Sequence, residues 1–180
     1  VMSADQVYDE VTAWAKDFDP QLYTLLTADE QKAKAIFAIG RGGAKPRKDI
    51  AIWSEVKDYV AFFYEELFTA ASEYPENVST QDARDILTQY RSLYSPADDG
   101  ETWFNKVREL GESLGFAAKP KDYKKNPDQY KGHVGDVSQV IRLAITGRTN
   151  SPDLCSVMQI LGEEVCQQRL AQAIELLSNR

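Results

Sequence analysis

The chain has 180 residues and is 43% hydrophobic, with 21 Lys and Arg against 28 Asp and Glu for a net charge of −7. That is enough apolar content for a packed core in one domain or two small ones. The longest aromatic-apolar run, Tyr59–Tyr64, excludes a transmembrane helix, and the N-terminus does not read as a basic, apolar, cleavable signal. Two cysteines, Cys155 and Cys166, and one histidine, His133, support neither a disulfide framework nor a zinc site. A reduced cytoplasmic protein without a metal is expected.

Helical periodicity runs through nearly the whole chain. Ser3 with Gln6 forms a capping box ahead of Val7, Val11, Trp14 and Phe18. Asp19-Pro20 restarts the chain with a cap and a proline at the first helical position. Thr27 with Glu30 reads as a second capping box, followed by Ala33, Ile36 and Phe37 until Gly40 stops the helix. Residues 41–49 read as an irregular basic loop. One long helix is then expected from Ile52 to Phe68, with Trp53, Val56, Val60, Phe63 and Leu67 as a core-facing stripe.

Ser79 with Asp82 opens the next helix, carrying Ala83, Ile86, Leu87 and Tyr90. Ser95–Gly100 is the strongest linker pattern, and another helix follows from about Thr102 to Leu114. Residues 117–135 read as non-helical, with two prolines, two glycines and five lysines. Three helices close the chain: one around Val137, Val140, Ile141, Ala144 and Ile145 to Gly147, one capped by Ser151-Pro152, and one carrying Cys166, Leu170 and Leu177. No segment alternates with period two. The expected fold is all-α in two helical subdomains, 1–95 and 96–180.

Catalytic chemistry has little to work with. Ser-His-Asp or Cys-His catalysis would have to pass through His133, which reads as a solvated loop residue between glycines. Gly40-Arg41-Gly42-Gly43 lacks the Gly-Lys-Ser/Thr ending and the preceding strand of a phosphate-binding loop. No catalytic residue is assigned, and the chain reads as a binding module.

The net acidity argues against a general nucleic-acid binder, yet the basic residues are clustered. Arg41, Lys45, Arg47 and Lys48 share one loop, and Lys119, Lys121, Lys124, Lys125 and Lys131 share another with Tyr123 and Tyr130. Arg142 and Arg148 bracket the helix end that follows. Lysines interleaved with tyrosines suit phosphate contacts plus base stacking, so a folded RNA fits better than a membrane. Candidate phosphate contacts are Arg41, Lys45, Lys48, Lys124, Lys125 and Arg148. A helical scaffold whose basic loops meet an acidic protein partner is the alternative reading.

Specific motifs go further. Arg142-Leu-Ala-Ile-Thr-Gly147, Ser151-Pro-Asp-Leu154, Ile160-Leu-Gly162-Glu and Arg169-Leu170 occur in order. Together they resemble the last module of bacterial glutamyl-tRNA synthetases, which are class I enzymes. Lys45-Pro-Arg47-Lys-Asp49, followed by Trp53-Ser-Glu-Val and Phe62-Phe63, resembles the preceding helical module of the same family.

The resemblance implies an α-helical region that reads the anticodon arm of the glutamate tRNA. It implies that Arg47 and Arg142 contact anticodon bases, and that Ser151, Pro152 and Leu154 help hold them. Cys155 stands where the family often carries an aromatic residue. The His-x-Gly-His-type and Lys-Met-Ser-Lys-type signatures of class I catalysis are absent from these 180 residues. An excised, monomeric C-terminal fragment is therefore expected. ATP and magnesium would be used by a catalytic domain preceding residue 1, with no cofactor in the fragment itself.

Two further expectations follow from the residues. Arg142 lies off the apolar face of its helix, which leaves its guanidinium to face a ligand. Ser151-Pro152 at a helix start would offer unpaired amides to phosphate or a base carbonyl.

Overall fold

A computed structural model of the chain describes residues 2–41 and 53–180. The fold is all-α, with ten α-helices among the described residues and one isolated bridge, Ala117 to His133. No described helix is long and apolar enough to cross a membrane. The chain divides into two compact units, Val1–Phe68 and Thr69–Arg180.

In the first unit, α1 (Ala4–Phe18), α2 (Pro20–Ala28) and α3 (Glu30–Ala38) pack on one another. Ser3 and Gln6 form the reciprocal cap read from the sequence, with bonds of 2.8 and 3.2 Å. Asp19 caps α2 just before Pro20. The start of α3 differs from expectation. Asp29 caps it by accepting from the Lys32 amide at 3.0 Å, while Thr27 stays inside α2 and donates to the Tyr23 carbonyl at 2.7 Å. Val11, Leu22, Leu26, Ala33, Ile36 and Phe37 are fully buried.

The single long helix expected over 52–68 is broken into three. A 3₁₀ turn (Trp53–Glu55) leads into α4 (Val56–Val60), a second 3₁₀ turn covers Ala61–Phe63, and Tyr64 is extended. Phe62, Phe63 and Tyr64 are all buried. Three consecutive residues on an α-helix fan over about 200° and cannot all face one core, so burying the three rings ends the helix.

The second unit holds α5 (Thr80–Leu93), α6 (Gly100–Ser113), α7 (Pro120–Lys125), α8 (Val134–Thr146), α9 (Leu154–Leu161) and α10 (Glu163–Ser178). Helix α5 packs against α10, α8 and α6, which places it in this unit. The division therefore falls at Phe68/Thr69 and not at the Ser95–Gly100 turn read as a linker. Turn formers mark a change of direction, but they do not report packing. That turn is in fact tied down: Lys106 Nζ reaches the Asp98 carboxylate at 2.8 Å and the Leu93 carbonyl at 2.8 Å.

Residues 117–135 are more ordered than composition implied. Pro120 sits at the first position of α7, and a 3₁₀ turn covers Pro127–Gln129. The Ala117 amide donates to the Gly132 carbonyl and the Val134 amide to the Ala117 carbonyl, each at 2.9 Å. His133 is the N-cap of α8, with its Nδ1 accepting from the Gly135 amide at 3.0 Å and its own amide donating to Asp136 at 2.9 Å. A half-buried structural cap replaces the solvated loop histidine.

Candidate nucleic-acid interface

The C-terminal end of α8 gathers most of the motif residues. Helix α8 stops at Gly147, whose φ of 73° lies in the left-handed region that glycine enters without penalty. Thr146 is 1% exposed, and its hydroxyl donates to the Arg142 carbonyl at 2.8 Å while accepting from the Arg148 amide at 3.1 Å. Each member of Arg142-Leu-Ala-Ile-Thr-Gly147 thus has a physical task. Leu143, Ala144 and Ile145 are buried, Thr146 folds the chain back, and Gly147 makes the turn.

Arg142 is held, contrary to the expectation that its guanidinium would be left over for a ligand. Its Nη1 donates to the Ser151 hydroxyl and, at 3.2 Å, to the Pro152 carbonyl. The Ser151 hydroxyl in turn donates to the Pro152 carbonyl at 2.8 Å. The fold therefore brings Arg142, Ser151 and Pro152 into one cluster. Holding a long cationic side chain in place before a ligand arrives removes part of the entropy cost of binding.

Pro152 is buried and Leu154 is 1% exposed, so both act from beneath the turn. Burying a leucine side chain contributes about 1.5–3 kcal/mol, which anchors the loop to the core. Cys155 is 5% exposed and packs as a small apolar residue. Burial pushes the Cys166 thiol up to about 11, as suits an unreactive core sulfur.

The start of α9 also departs from expectation. Its cap is Asp153, not Ser151-Pro152: the carboxylate accepts from the Ser156 amide at 3.0 Å and the Ser156 hydroxyl at 2.7 Å. A carboxylate already occupies this helix N-terminus, which rules it out as a phosphate cradle.

The remaining candidates divide clearly. Arg47, Lys45 and Lys48 lie outside the described residues. Arg41 closes the end of α3, with its Nε donating to the Phe37 carbonyl and Nη1 to the Met2 carbonyl at 3.5 Å. Arg148 is half-buried on the turn after α8. Lys124 and Lys125 are exposed on α7, at the other end of α8 from the Arg142 cluster. Lys131 is engaged, pairing with Asp82 at 2.7 Å.

Thr146, Asp153 and Arg169 fall within the motifs that carry the resemblance, yet the sequence assigned none of them a role in shaping the cluster. Arg169 is 3% exposed on α10 and donates from Nη1 to the Ile145 carbonyl at 2.7 Å. The Asp153-x-x-Ser156 spacing carried a readable cap signal, whereas nothing local marked Arg169 as reaching another helix.

The all-α fold agrees with comparison against known families. The chain belongs to the anticodon binding domain family, whose model matches residues 6–174. It is 41% identical over 171 residues to the glutamate–tRNA ligase of Acetivibrio thermocellus, covering 95% of this chain and 31% of that protein. It is 43% identical over 180 residues to the glutamate–tRNA ligase of Clostridium beijerinckii, covering 97% and 32%. The corresponding enzyme of Sorangium cellulosum is 40% identical over 173 residues, covering 95% and 30%. The chain thus spans about a third of the length of the curated relatives it matches.

Proposed function

We propose that this chain recognises the anticodon arm of the glutamate tRNA as part of a glutamate–tRNA ligase. The observation that carries this reading is the Arg142–Ser151–Pro152 cluster, in a chain of the anticodon binding domain family. A guanidinium presents planar N–H donors suited to the acceptor edges of bases. With its position set by Ser151 and Pro152, a mismatched base leaves buried donors unsatisfied, and that loss is the source of discrimination. Arg47 supplies the second base contact in this reading, with Ser151, Pro152 and Leu154 holding Arg142 and its turn.

Attachment of glutamate, with ATP and magnesium, belongs in this reading to a domain outside these 180 residues. Among the described residues, Gly40 gives no phosphate-binding start. Gly40 closes the C-terminal end of α3, and phosphate is favoured at the opposite end of a helix. A monomer in the reducing cytoplasm completes the reading, in keeping with two buried free thiols.

Competition binding tests it. Labelled glutamate tRNA bound to the chain is challenged with unlabelled tRNAs of equal length and charge. Displacement by the glutamate tRNA at far lower concentration than by the others is expected. Equal displacement by all would favour a charge-driven contact and overturn anticodon recognition.

A further inference from the structure

The Lys-Tyr segment 117–133 plays no part in the Arg142 cluster. Helix α7 places Lys121, Lys124 and Lys125 at i, i+3 and i+4, which puts all three on one face. Lys119 precedes them at the N-cap position, where a lysine side chain cannot accept an amide. All four are exposed. Among the described residues, no ion pair, hydrogen bond or ring contact engages their side chains.

Four other described lysines behave differently, although Lys16 is exposed in the same way. Lys34, Lys57, Lys106 and Lys131 each hold a carboxylate within 3.1 Å. Like charges three and four residues apart on a helix repel one another. Lys124 and Lys125 lie in the last turn of α7, where the helix dipole favours cations and offsets part of that repulsion. Exposed cations with no partner of their own are free to meet an external anion.

The platform beneath the lysines is firm. Lys131, in the same segment, is tied to Asp82 on α5, and its amide donates to the Gly115 carbonyl at 2.9 Å. On α7, Tyr123 pairs with the His133 ring at 5.9 Å between centroids, which fixes the helix on its opposite side to the N-cap of α8. Cations arrayed on one exposed face suit a chain of phosphates.

We infer that the Lys121–Lys124–Lys125 face of α7, with Lys119 at its N-cap, is a second RNA contact, gripping the phosphate backbone without regard to sequence. This rests on the tRNA reading of the Arg142 cluster. The two sites lie at opposite ends of α8, whose 13 residues span roughly 20 Å, so one RNA must reach across the helix to touch both. Arg142 then supplies discrimination, and the lysine face supplies encounter and hold.

The test uses labelled glutamate tRNA transcripts with matched and altered anticodons. They are titrated over a range of salt against the wild-type chain, against Arg142→Ala, and against a variant combining Lys119→Gln, Lys121→Gln, Lys124→Gln and Lys125→Gln. The lysine variant is expected to lose on the order of tenfold or more at low salt, equally for both transcripts, with the log–log salt slope flatter by about 3. Its melting temperature should stay close to wild type, because the four side chains are exposed and engage nothing within the fold. Unchanged affinity and slope in the lysine variant, while Arg142→Ala still loses discrimination, would overturn this inference and leave the tRNA reading standing. A lower melting temperature that accounts for the binding loss would overturn it in favour of a structural role. No tRNA binding by the wild-type chain would overturn both.

Discussion

Arg169 Nη1 donates to the Ile145 carbonyl at 2.7 Å, so a buried guanidinium on α10 holds the last turn of α8. The final carbonyls of a helix lack intrahelical partners, and the helix dipole makes that end favourable to a cation. Arg142 lies one turn earlier on the same helix, and its cluster depends on that turn keeping its place.

Removing the Arg169 side chain leaves a buried carbonyl without its donor and a void behind it. Arg169→Ala should therefore cost about 2–4 kcal/mol of unfolding free energy, measured by urea denaturation of the isolated chain. Arg169→Lys should recover only part of this, because a flexible ammonium does not reproduce the planar fork. A loss below about 0.5 kcal/mol in the alanine variant would show that the bond is not stabilising.

Arg142→Ala should weaken binding of the matched glutamate tRNA by about 1–3 kcal/mol and change little with an altered anticodon. Ser151→Ala should give a smaller loss of the same kind, since it removes one of the acceptors that set the guanidinium's position. Arg47→Ala should resemble Arg142→Ala. Equal losses for both anticodons would make these side chains phosphate contacts or structural elements.

Gly147 combines a φ of 73° with a neighbour that leaves no room: a Cβ there would run into the Thr69 carbonyl oxygen. Gly147→Ala should therefore cost more than the roughly 1–2 kcal/mol of the left-handed backbone alone. Gly162, at φ 85°, has open space around it, so Gly162→Ala should show the backbone cost without the collision. Thermal melts of the two variants compare them directly. The same midpoint for both would mean that the backbone yields at Thr69.

The Asp99 carboxyl caps α6 and lies below the ordinary carboxylate range, chiefly because the Thr102 amide donates to it at 2.7 Å, with the Thr102 side chain adding to the effect. A folded value below the unfolded one gives stability that is full above the ordinary range and is lost as pH falls through the lowered value. Asn at this position caps a helix without titrating. The melting midpoint of Asp99→Asn should accordingly fall less than wild type between about pH 5 and pH 2. Parallel acid profiles would show that the cap does not contribute through its charge.

The elements that local chemistry controls were legible from the residues. Ser3-Gln6, Asp19-Pro20 and Ser79-Asp82 each carry their cap within four residues, and the structure has helices starting there. The helix ends at Gly40 and Gly147 were equally plain, because a left-handed residue after a helical stripe needs glycine. The resemblance placed Arg142, Ser151 and Pro152 in one functional group, and the fold brings their atoms together.

Choices among competing local signals needed the tertiary structure. Thr27 reads as a cap along the sequence, yet it stays inside α2 and Asp29 caps α3 in its place. The helical stripe over 52–68 gave way to the burial of Phe62, Phe63 and Tyr64 together, a demand set by the surrounding core. The Ser95–Gly100 turn looked like a boundary until α5 proved to pack on α10, far along the chain. Arg169 carried no local mark of its target on α8. Caps, turns and periodicity are fixed by atoms a few residues apart and can be read along the chain. Which helix buries which face, and where a long cation finds its carbonyl, depend on contacts between distant residues that exist only once the chain is folded.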